Sequence, residues 1–197
     1  MSKNAKTQFD IHPLLNERWS PRAFEDKAIE TDKLQKIFEA ARWSPSASNE
    51  QPWSFMIGLK NDETYQKIME TLVKFNQMWA INAPVLLLSI GKKTNSKEEA
   101  SNIYKYDVGQ SVAHLTFQAS FEGLHLHQMS GFYPGKAAEL FELPDNYEAI
   151  SVIAMGYIGN PSMLHSRMQK AEKAERERKD LKDFIFTVKF GNQAGLI

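Results

Sequence analysis

Two arginines and a serine lie within five residues near the start of the chain, in the run Arg18-Trp19-Ser20-Pro21-Arg22. Arginine presents a planar fork of hydrogen-bond donors that matches the oxygens of a phosphate group. Proline disfavours the helical conformation at the residue before it, so this run is predicted to be extended. The residues therefore predict an anion-binding segment. The alternative is an ordinary solvated pair of arginines that follows a short helix over residues 12–17.

A second stretch of small polar residues follows one amphipathic helix further along the chain, at residues 45–53. Its serines and its asparagine are typical of turns, because their side chains bond to nearby backbone groups. The stretch leads directly into a predicted strand. A ligand-binding loop and a plain connection between a helix and a strand both fit this pattern.

The C-terminal part combines a charged stretch, residues 169–183, with an apolar run at residues 184–190. The charged stretch predicts a solvated helix with ion pairs such as Glu172 with Arg176. The apolar run predicts a strand, which would be exposed to solvent in a monomer and would favour aggregation. We therefore expect a second copy of the chain to bury it.

Composition limits the classes of function that need to be considered. The 197 residues include no cysteine, which excludes disulfides, thiolate catalysis and iron–sulfur ligation, and fits a reducing compartment. A formal net charge of zero gives no global field that would attract nucleic acid or an anionic membrane. The first ten residues lack the apolar stretch of a signal peptide, and no apolar run is long enough to span a bilayer. We expect one cytoplasmic domain, residues 1–197, with no nucleic-acid or membrane partner.

Hydrophobic periodicity predicts alternating helices and strands. Thr31 is expected to cap a helix with Leu34, Ile37, Phe38 and Ala41 on its buried face. Further helices are predicted over residues 62–74, 106–126 and 136–141, and strands over residues 54–59, 84–90, 127–130, 149–155 and 184–190. Ile68, Leu72 and Phe75 are expected to point inward from the second helix. This order predicts an α+β or α/β domain with a modest sheet and helices on both sides.

The helix over residues 106–126 is the longest that is predicted, and it is apolar nearly all round. That pattern is typical of a central helix or of a helix at a dimer interface. Gly123 is expected to end it or to thin it. His114 lies on this helix, and His125 and His127 flank Leu126, where the helix gives way to the next predicted strand. No carboxylate cluster accompanies these histidines, which favours hydrogen-bonded structural residues over metal ligands.

Five stretches in one order carry a resemblance to a known family: residues 18–22, 45–53, 128–132 and 156–159, and the basic pair Arg176 and Arg178. In that order the chain resembles the nitroreductase family, flavoenzymes that hold FMN at a dimer interface. The resemblance extends over residues 13–190. It implies an α+β three-layer sandwich with a central, mainly antiparallel sheet and helices on both faces. It also implies a homodimer that exchanges C-terminal strands.

The resemblance further implies which residues hold FMN. Arg18, Ser20 and Arg22 would bind the phosphate, the ribityl chain and the pyrimidine edge, with Trp19 in the same run, and Arg176 and Arg178 would complete the phosphate site. Residues of the partner subunit would line the flavin: Pro45, Ser46, Ala47 and Asn49. The ring would be approached by Asn76, Met129, Ser130 and Gly131, with the Ser130 N–H facing flavin N5. Gly131 would let the chain pass close to the ring. At Trp79, where some relatives carry a lysine that bonds the flavin, the indole N–H would be a weaker substitute.

The activity implied is hydride transfer from NADH or NADPH to the flavin and on to a small electron-poor acceptor, such as a nitroaromatic or a quinone, with ping-pong kinetics. No catalytic side chain and no metal is expected, since the flavin carries the chemistry. Glu98, Tyr104 and Lys105 could bind a zwitterionic substrate, as in dehalogenating relatives, or could belong to a solvated helical lid. Two alternatives stay open: an FMN-binding carrier or sensor without turnover, and a structural dimer whose arginines bind nothing.

Overall fold

Four strands form one antiparallel sheet in this computed structural model, which describes residues 3–195. The sheet order is β1-β2-β4-β3, so that β2 and β4 are central and β1 and β3 are edges. The strands are β1 (Trp53–Leu59), β2 (Val85–Lys92), β3 (His125–Met129) and β4 (Tyr147–Gly156). The helices are α1 (Pro13–Glu17), α2 (Thr31–Arg42), α3 (Glu63–Thr71), α4 (Lys74–Ala80), α5 (Tyr104–Phe121), α6 (Pro134–Leu140) and α7 (Ser166–Lys173).

The sheet separates two hydrophobic cores because successive side chains of a strand point to opposite faces. Leu86 and Leu88 of β2 pack in one core with residues of α3, α4, α6 and α7. Val85 and Leu87 pack in the other core with residues of α2 and α5. Helices thus cover both faces of an antiparallel sheet, and the predicted α+β three-layer architecture is confirmed.

The segment between β1 and β2 contains two helices where a single helix was predicted. Asp62 caps α3 by accepting a hydrogen bond from the Tyr65 N–H at 2.6 Å. The helix ends at Thr71 because Leu72 is extended and forms an isolated bridge with Phe132. Leu72 is buried as expected, but Phe75 begins the first turn of α4 and is 49% exposed, so its predicted inward position is wrong. Thr31 also does not cap α2, since Glu30 occupies that position without a side-chain bond.

Helix α5 begins two residues earlier than predicted and ends at Phe121, before Gly123. One face of α5 is buried, with Val108, Val112, Leu115 and Ala119 in the core. The other face exposes Tyr106, Phe117 and Phe121. Burial nearly all round is therefore not reached within one chain, where the helix has an uncovered apolar face.

The C-terminal prediction is wrong in two respects. Helix α7 ends at Lys173, so the charged stretch is not helical as far as residue 183. Residues 184–190 form no strand in this chain, because only an isolated bridge between Phe186 and Gln193 is made there. The side chains of Val188 and Phe190 are 95% and 93% exposed, which leaves the apolar run uncovered. No helix within residues 3–195 has the length and apolar character needed to cross a membrane.

Candidate functional site

The arginine segment, residues 18–22, leaves α1 and runs beside the edge strand β3. Arg18 is extended rather than helical, as Pro21 and the polar run predicted. The backbone carbonyl of Pro21 lies 3.0 Å from Nδ1 of His127. The ring of Trp19 is buried edge-on against His125, with 6.4 Å between the ring centroids. Contacts with His125 and His127 of β3 therefore hold this segment, and the ring of Trp19 is not exposed to a ligand.

Gly159, three residues after β4, allows the chain to pack closely against Ala23 and Phe24, which follow the arginine segment. A Cβ built there would lie 2.6 Å from the backbone carbon of Phe24. The Gly159 N–H donates to the carbonyl of Ala23 at 2.9 Å, and Phe24 bridges Ile158. The stretch at residues 156–159 thus owes its glycine to close packing on the arginine segment.

Arg18, Arg176 and Arg178 line one cavity of about 430 Å³. Their meeting was predicted by the resemblance, although 158 residues separate the first two in sequence, the difference between 176 and 18. Burial and the nearby charges of Arg176 and Arg178 lower the pKa of Arg18. None of the three makes an ion pair with a carboxylate within the described part of the chain. Arg18 and Arg176 are half-buried and Arg178 is exposed, and a cluster of arginines that form no ion pairs is suited to binding an anion such as a phosphate.

Arg22 does not line that cavity, although it lies only four residues from Arg18. Its backbone N–H donates to Oε1 of Glu172 at 3.1 Å, and its Nη1 lies 3.6 Å from the same oxygen. Its guanidinium carbon lies 5.9 Å from the centre of the Trp79 ring. The two arginines of the run therefore differ. Arg18 lines the cavity and forms no ion pair among the described residues, whereas Arg22 lies outside the cavity and pairs with Glu172.

Glu172 is the residue of this region that sequence reasoning misplaced. The predicted pair with Arg176 is not formed, because α7 ends at Lys173 and turns Arg176 away. Glu172 is instead 1% exposed, and burial raises the pKa of its carboxyl group, although Arg22 opposes that shift. Its position four residues after buried Met168 was the available signal, since residues four apart share a helix face.

Two atoms of this pair have no hydrogen-bond partner among residues 3–195, namely Nε of Arg22 and Oε2 of Glu172. A buried polar atom without a partner costs free energy, so such atoms are rare unless water or a ligand reaches them. The Arg22–Glu172 pair therefore keeps one hydrogen-bond donor and one acceptor without a partner among the described residues.

The surroundings of the two histidines on β3 disfavour their protonated forms. Burial and the charge of Arg22 lower the pKa of His127 to about 4, against a smaller opposing effect of the Pro21 carbonyl. Burial also lowers the pKa of His125, whose Nδ1 has no partner among the described residues. The expectation that all three histidines are hydrogen-bonded is thus wrong for His125, whereas His114 bonds Ser44 at 2.7 Å. No three potential metal ligands cluster in the chain between residues 3 and 195.

Asn76 links α4 to the segment after β3. Its amide donates to the carbonyl of Gly131 at 3.0 Å, and its oxygen accepts from the indole N–H of Trp79 at 3.3 Å. A Cβ on Gly131 would lie 2.6 Å from the Asn76 amide nitrogen, so glycine is required here by Asn76. Trp79 is fully buried, and its N–H serves Asn76 instead of an exposed surface. Of the neighbouring predicted residues, Met129 is buried in the core and Ser130 is exposed.

The loop at residues 45–53 is fixed but lies apart from the arginine cavity. The Ala47 N–H donates to buried Asp107 at 3.2 Å, and the hydroxyl of Ser46 accepts from the Gln51 N–H at 3.0 Å. Both carboxylate oxygens of Glu50 bind Ser96, each at 2.8 Å. Pro45, Ser46, Ala47 and Asn49 are therefore held in this chain at a place that its own arginine cluster does not reach.

The segment at residues 92–105 does not provide a zwitterion site. Glu98 bonds Lys92 and Thr94, while the Tyr104 hydroxyl and the Lys105 ammonium both bond Glu148. Tyr104 and Lys105 thus share Glu148, while Glu98 is bonded elsewhere, so the three side chains do not converge on one site. The segment is also not helical before Tyr104, so neither the zwitterion site nor a helical lid is formed.

Comparison with known proteins agrees with this geometry. A sequence profile described as "Nitroreductase family" matches residues 15–74, which contain the arginine segment and the loop at residues 45–53. A protein of Archaeoglobus fulgidus, provisionally named NADH dehydrogenase/NAD(P)H nitroreductase, is 27% identical over 145 residues, or 71% of this chain and 80% of that protein.

Solved structures extend the likeness over the whole fold. A crystal structure described as an oxidoreductase containing FMN is 32% identical, has a TM-score of 0.91 and covers 98% of this chain and 99% of its own. A nitroreductase family protein from Clostridium difficile 630 is 25% identical, with a TM-score of 0.72, and covers 92% of this chain and 99% of its own. A shared fold, shared motifs and near-complete mutual coverage lead to one conclusion: this chain belongs to the nitroreductase family.

Proposed function

We propose that this protein is an FMN-dependent oxidoreductase that takes electrons from NADH or NADPH and passes them to a small electron-poor acceptor, such as a nitroaromatic or a quinone. The observation that carries the proposal is the cluster of Arg18, Arg176 and Arg178 around one cavity, in which none of the three forms an ion pair among the described residues. A doubly charged phosphate would relieve the repulsion that lowers the pKa of Arg18. The similar crystal structure that is 32% identical to this chain, an oxidoreductase containing FMN, supports the choice of cofactor.

The residues of this chain fit the remainder of FMN as well. The hydroxyl of Ser20 lies 3.4 Å from Nη1 of Arg18, next to the predicted phosphate position. Asn76 fixes the backbone of Gly131, so the adjacent exposed Ser130 presents its backbone from a rigid support. When bound, FMN supplies the two-electron redox chemistry, and the protein contributes binding and orientation. We therefore assign the cofactor site to the residues predicted from the sequence, with Trp19 and Met129 contributing backbone only.

We further propose that the active form is a homodimer of single-domain subunits in the cytoplasm. The uncovered apolar face of α5 and the exposed run at residues 184–190 support it, since such surfaces mark interaction sites. The loop at residues 45–53 lies away from its own arginine cluster, which supports its proposed contribution to the partner's site. Deleting residues 184–197 should abolish both dimerisation and flavin retention. A soluble yellow dimer in sedimentation would overturn the exchange of C-terminal segments.

The first experiment is the absorption spectrum of the purified protein, followed by anaerobic mixing with NADH and with NADPH. We expect a flavin spectrum that bleaches on mixing, and parallel-line kinetics when a nitroaromatic or a quinone is then supplied. Bound flavin that neither nucleotide reduces would point instead to a carrier or sensor. Protein that neither retains nor binds FMN would overturn the proposal altogether.

A further inference from the structure

Residues 3–11 form one wall of the arginine cavity, and we call them the N-terminal wall. The side of the cavity opposite the arginines is lined by residues 5–9 and by Ile11. The wall contains no helix or strand and buries little apolar surface, since Phe9 and Ile11 are 58% and 45% exposed. Its position therefore depends on polar contacts with the rest of the molecule.

Three hydrogen bonds link the wall to α1 and the C-terminal segment, and a fourth joins α1 and the C-terminal segment to each other. The Ala5 N–H donates to the carbonyl of Asn16 at 2.9 Å, and the Asn16 side-chain amide donates to the carbonyl of Ala5 at 3.1 Å. Nη1 of Arg176 donates to the carbonyls of Lys3 and Asn16 at 2.9 Å and 2.6 Å. An ion pair between Lys6 and Glu175 adds little, because both side chains are more than 70% exposed.

Arg176 and Arg178 are thus used differently, although both line the cavity. Arg176 joins two backbone carbonyls that belong to the wall and to α1. Arg178 bonds only the adjacent carbonyl of Glu177, at 2.6 Å, among the described contacts. A carbonyl of the preceding residue fixes no other part of the molecule. The guanidinium of Arg178 is therefore the one whose remaining donors are available for a ligand.

We propose that Arg178, with Arg18, is the direct ligand of the cofactor phosphate, and that Arg176 is a positioning residue that holds the N-terminal wall closed over it. This inference rests on the proposed function, because it assumes that the cavity receives the phosphate of FMN. The wall shields the phosphate from water, so losing the wall should speed the release of FMN. Losing Arg178 should remove an anion contact and leave the wall in place.

Limited digestion by trypsin tests the wall without any flavin. Lys6 lies in the wall, so cleavage after it reports how often the wall opens. In the apo-protein, Arg176→Ala and Asn16→Ala should increase this cleavage several-fold, to about tenfold, because each removes bonds that close the wall. Arg178→Ala should be cleaved after Lys6 at the same rate as the wild type. Arg167→Ala serves as a control, since Arg167 is an exposed arginine outside the cavity.

Titration of the apo-protein with FMN then separates the two roles through a double-mutant cycle. Arg178→Ala should weaken binding by about tenfold to a hundredfold and should add fully to the effect of Asn16→Ala. Arg176→Ala should combine with Asn16→Ala less than additively, because both release the same wall. Stopped-flow displacement should place the effect of Arg176→Ala mainly in a faster release rate.

Three results would overturn the assignment. They are equal protection of Lys6 in all variants, full additivity of Arg176→Ala with Asn16→Ala, and an Arg178→Ala variant that binds FMN as the wild type does. Wild-type protein that binds no FMN would instead refute the proposed function, while the digestion result would still decide whether Arg176 closes the wall.

Discussion

The sheet with its two cores and the arginine cavity with its walls are stabilised by different forces. Leu87 of β2 is fully buried and packs among the apolar side chains of its core. Arg18 and Arg176 are partly exposed and are placed by hydrogen bonds to backbone groups and by charge. The stability that comes from apolar burial depends little on pH and salt, whereas interactions between charged groups depend on both. The molecule thus combines an apolar support with a charged region whose interactions depend on pH and salt.

The largest expected effect is on the sheet. Leu87→Ala should lower the free energy of unfolding by about 2–5 kcal/mol, because it leaves a cavity between β2 and the helices. The loss should be the same at low and high salt. Urea denaturation at two ionic strengths measures it, with Leu59→Ala in edge strand β1, where Leu59 is 48% exposed, as the matched control. Equal losses in the two variants would contradict the distinction between centre and edge.

Arg18→Ala should show the opposite behaviour. We expect FMN binding to weaken by about 1.5–3 kcal/mol, the contribution of a charge-assisted hydrogen bond. The apo-protein should unfold as the wild type does, because the substitution also removes repulsion from Arg176 and Arg178. Flavin titration and thermal unfolding of the apo-protein measure the two quantities, and exposed Arg42→Ala controls for net charge. Unchanged affinity for FMN would remove Arg18 from the site.

His127 lies where the two regions meet, and it predicts a dependence on pH. Its pKa of about 4 in the folded state is below the ordinary value of 6.5, so the unfolded chain binds the proton more readily. Stability should therefore be complete above about pH 6.5 and should fall as the pH drops toward 4, by at most about 1.4 kcal/mol per pH unit from this group.

The His127→Asn variant keeps a donor near the Pro21 carbonyl but does not titrate, so its unfolding curve should be flatter over that pH interval. Exposed His165→Asn is the matched control. A pH profile of His127→Asn that overlays the wild-type profile would show that another group is responsible.

The smallest expected effect concerns the ion pair between Lys6 and Glu175. Glu175→Gln should change the free energy of unfolding by less than about 1 kcal/mol, because both partners are well exposed to solvent and salt screens them. Chemical denaturation at low ionic strength is the most sensitive measurement. A loss comparable to that of Leu87→Ala would mean that exposed charge stabilises this region far more than we infer.

Local patterns in the sequence were sufficient for the elements that depend on local properties. The unbroken apolar run of β2 and the one-sided periodicity of α2 correspond to elements in the structure. The break after α3 could not be predicted, because Leu72 leaves the helix to pair with Phe132, which lies far away in sequence. Likewise, no strand forms at residues 184–190, because these residues pair with neither edge strand of their own sheet and make only the bridge between Phe186 and Gln193.

The candidate site was predictable to a different degree. The meeting of Arg18 with the tail arginines followed from the family resemblance, and local sequence alone left it open. The pairing of Glu172 with Arg22 was missed because a charged stretch favours solvated ion pairs, whereas α7 buries that carboxylate. The use of Arg176 on backbone carbonyls has no sequence signal, because it depends on where the N-terminal wall lies.

The contact between Arg176 and the Lys3 carbonyl joins residues that are 173 positions apart. Contacts of such long sequence separation form late in folding, since the intervening chain must first be organised. The sheet can form before this contact, but the anion site cannot. During synthesis, the cavity is therefore completed only after all four strands have left the ribosome. Acquisition of an anionic ligand would then mark the final step of folding and would favour the finished molecule over its incomplete precursors.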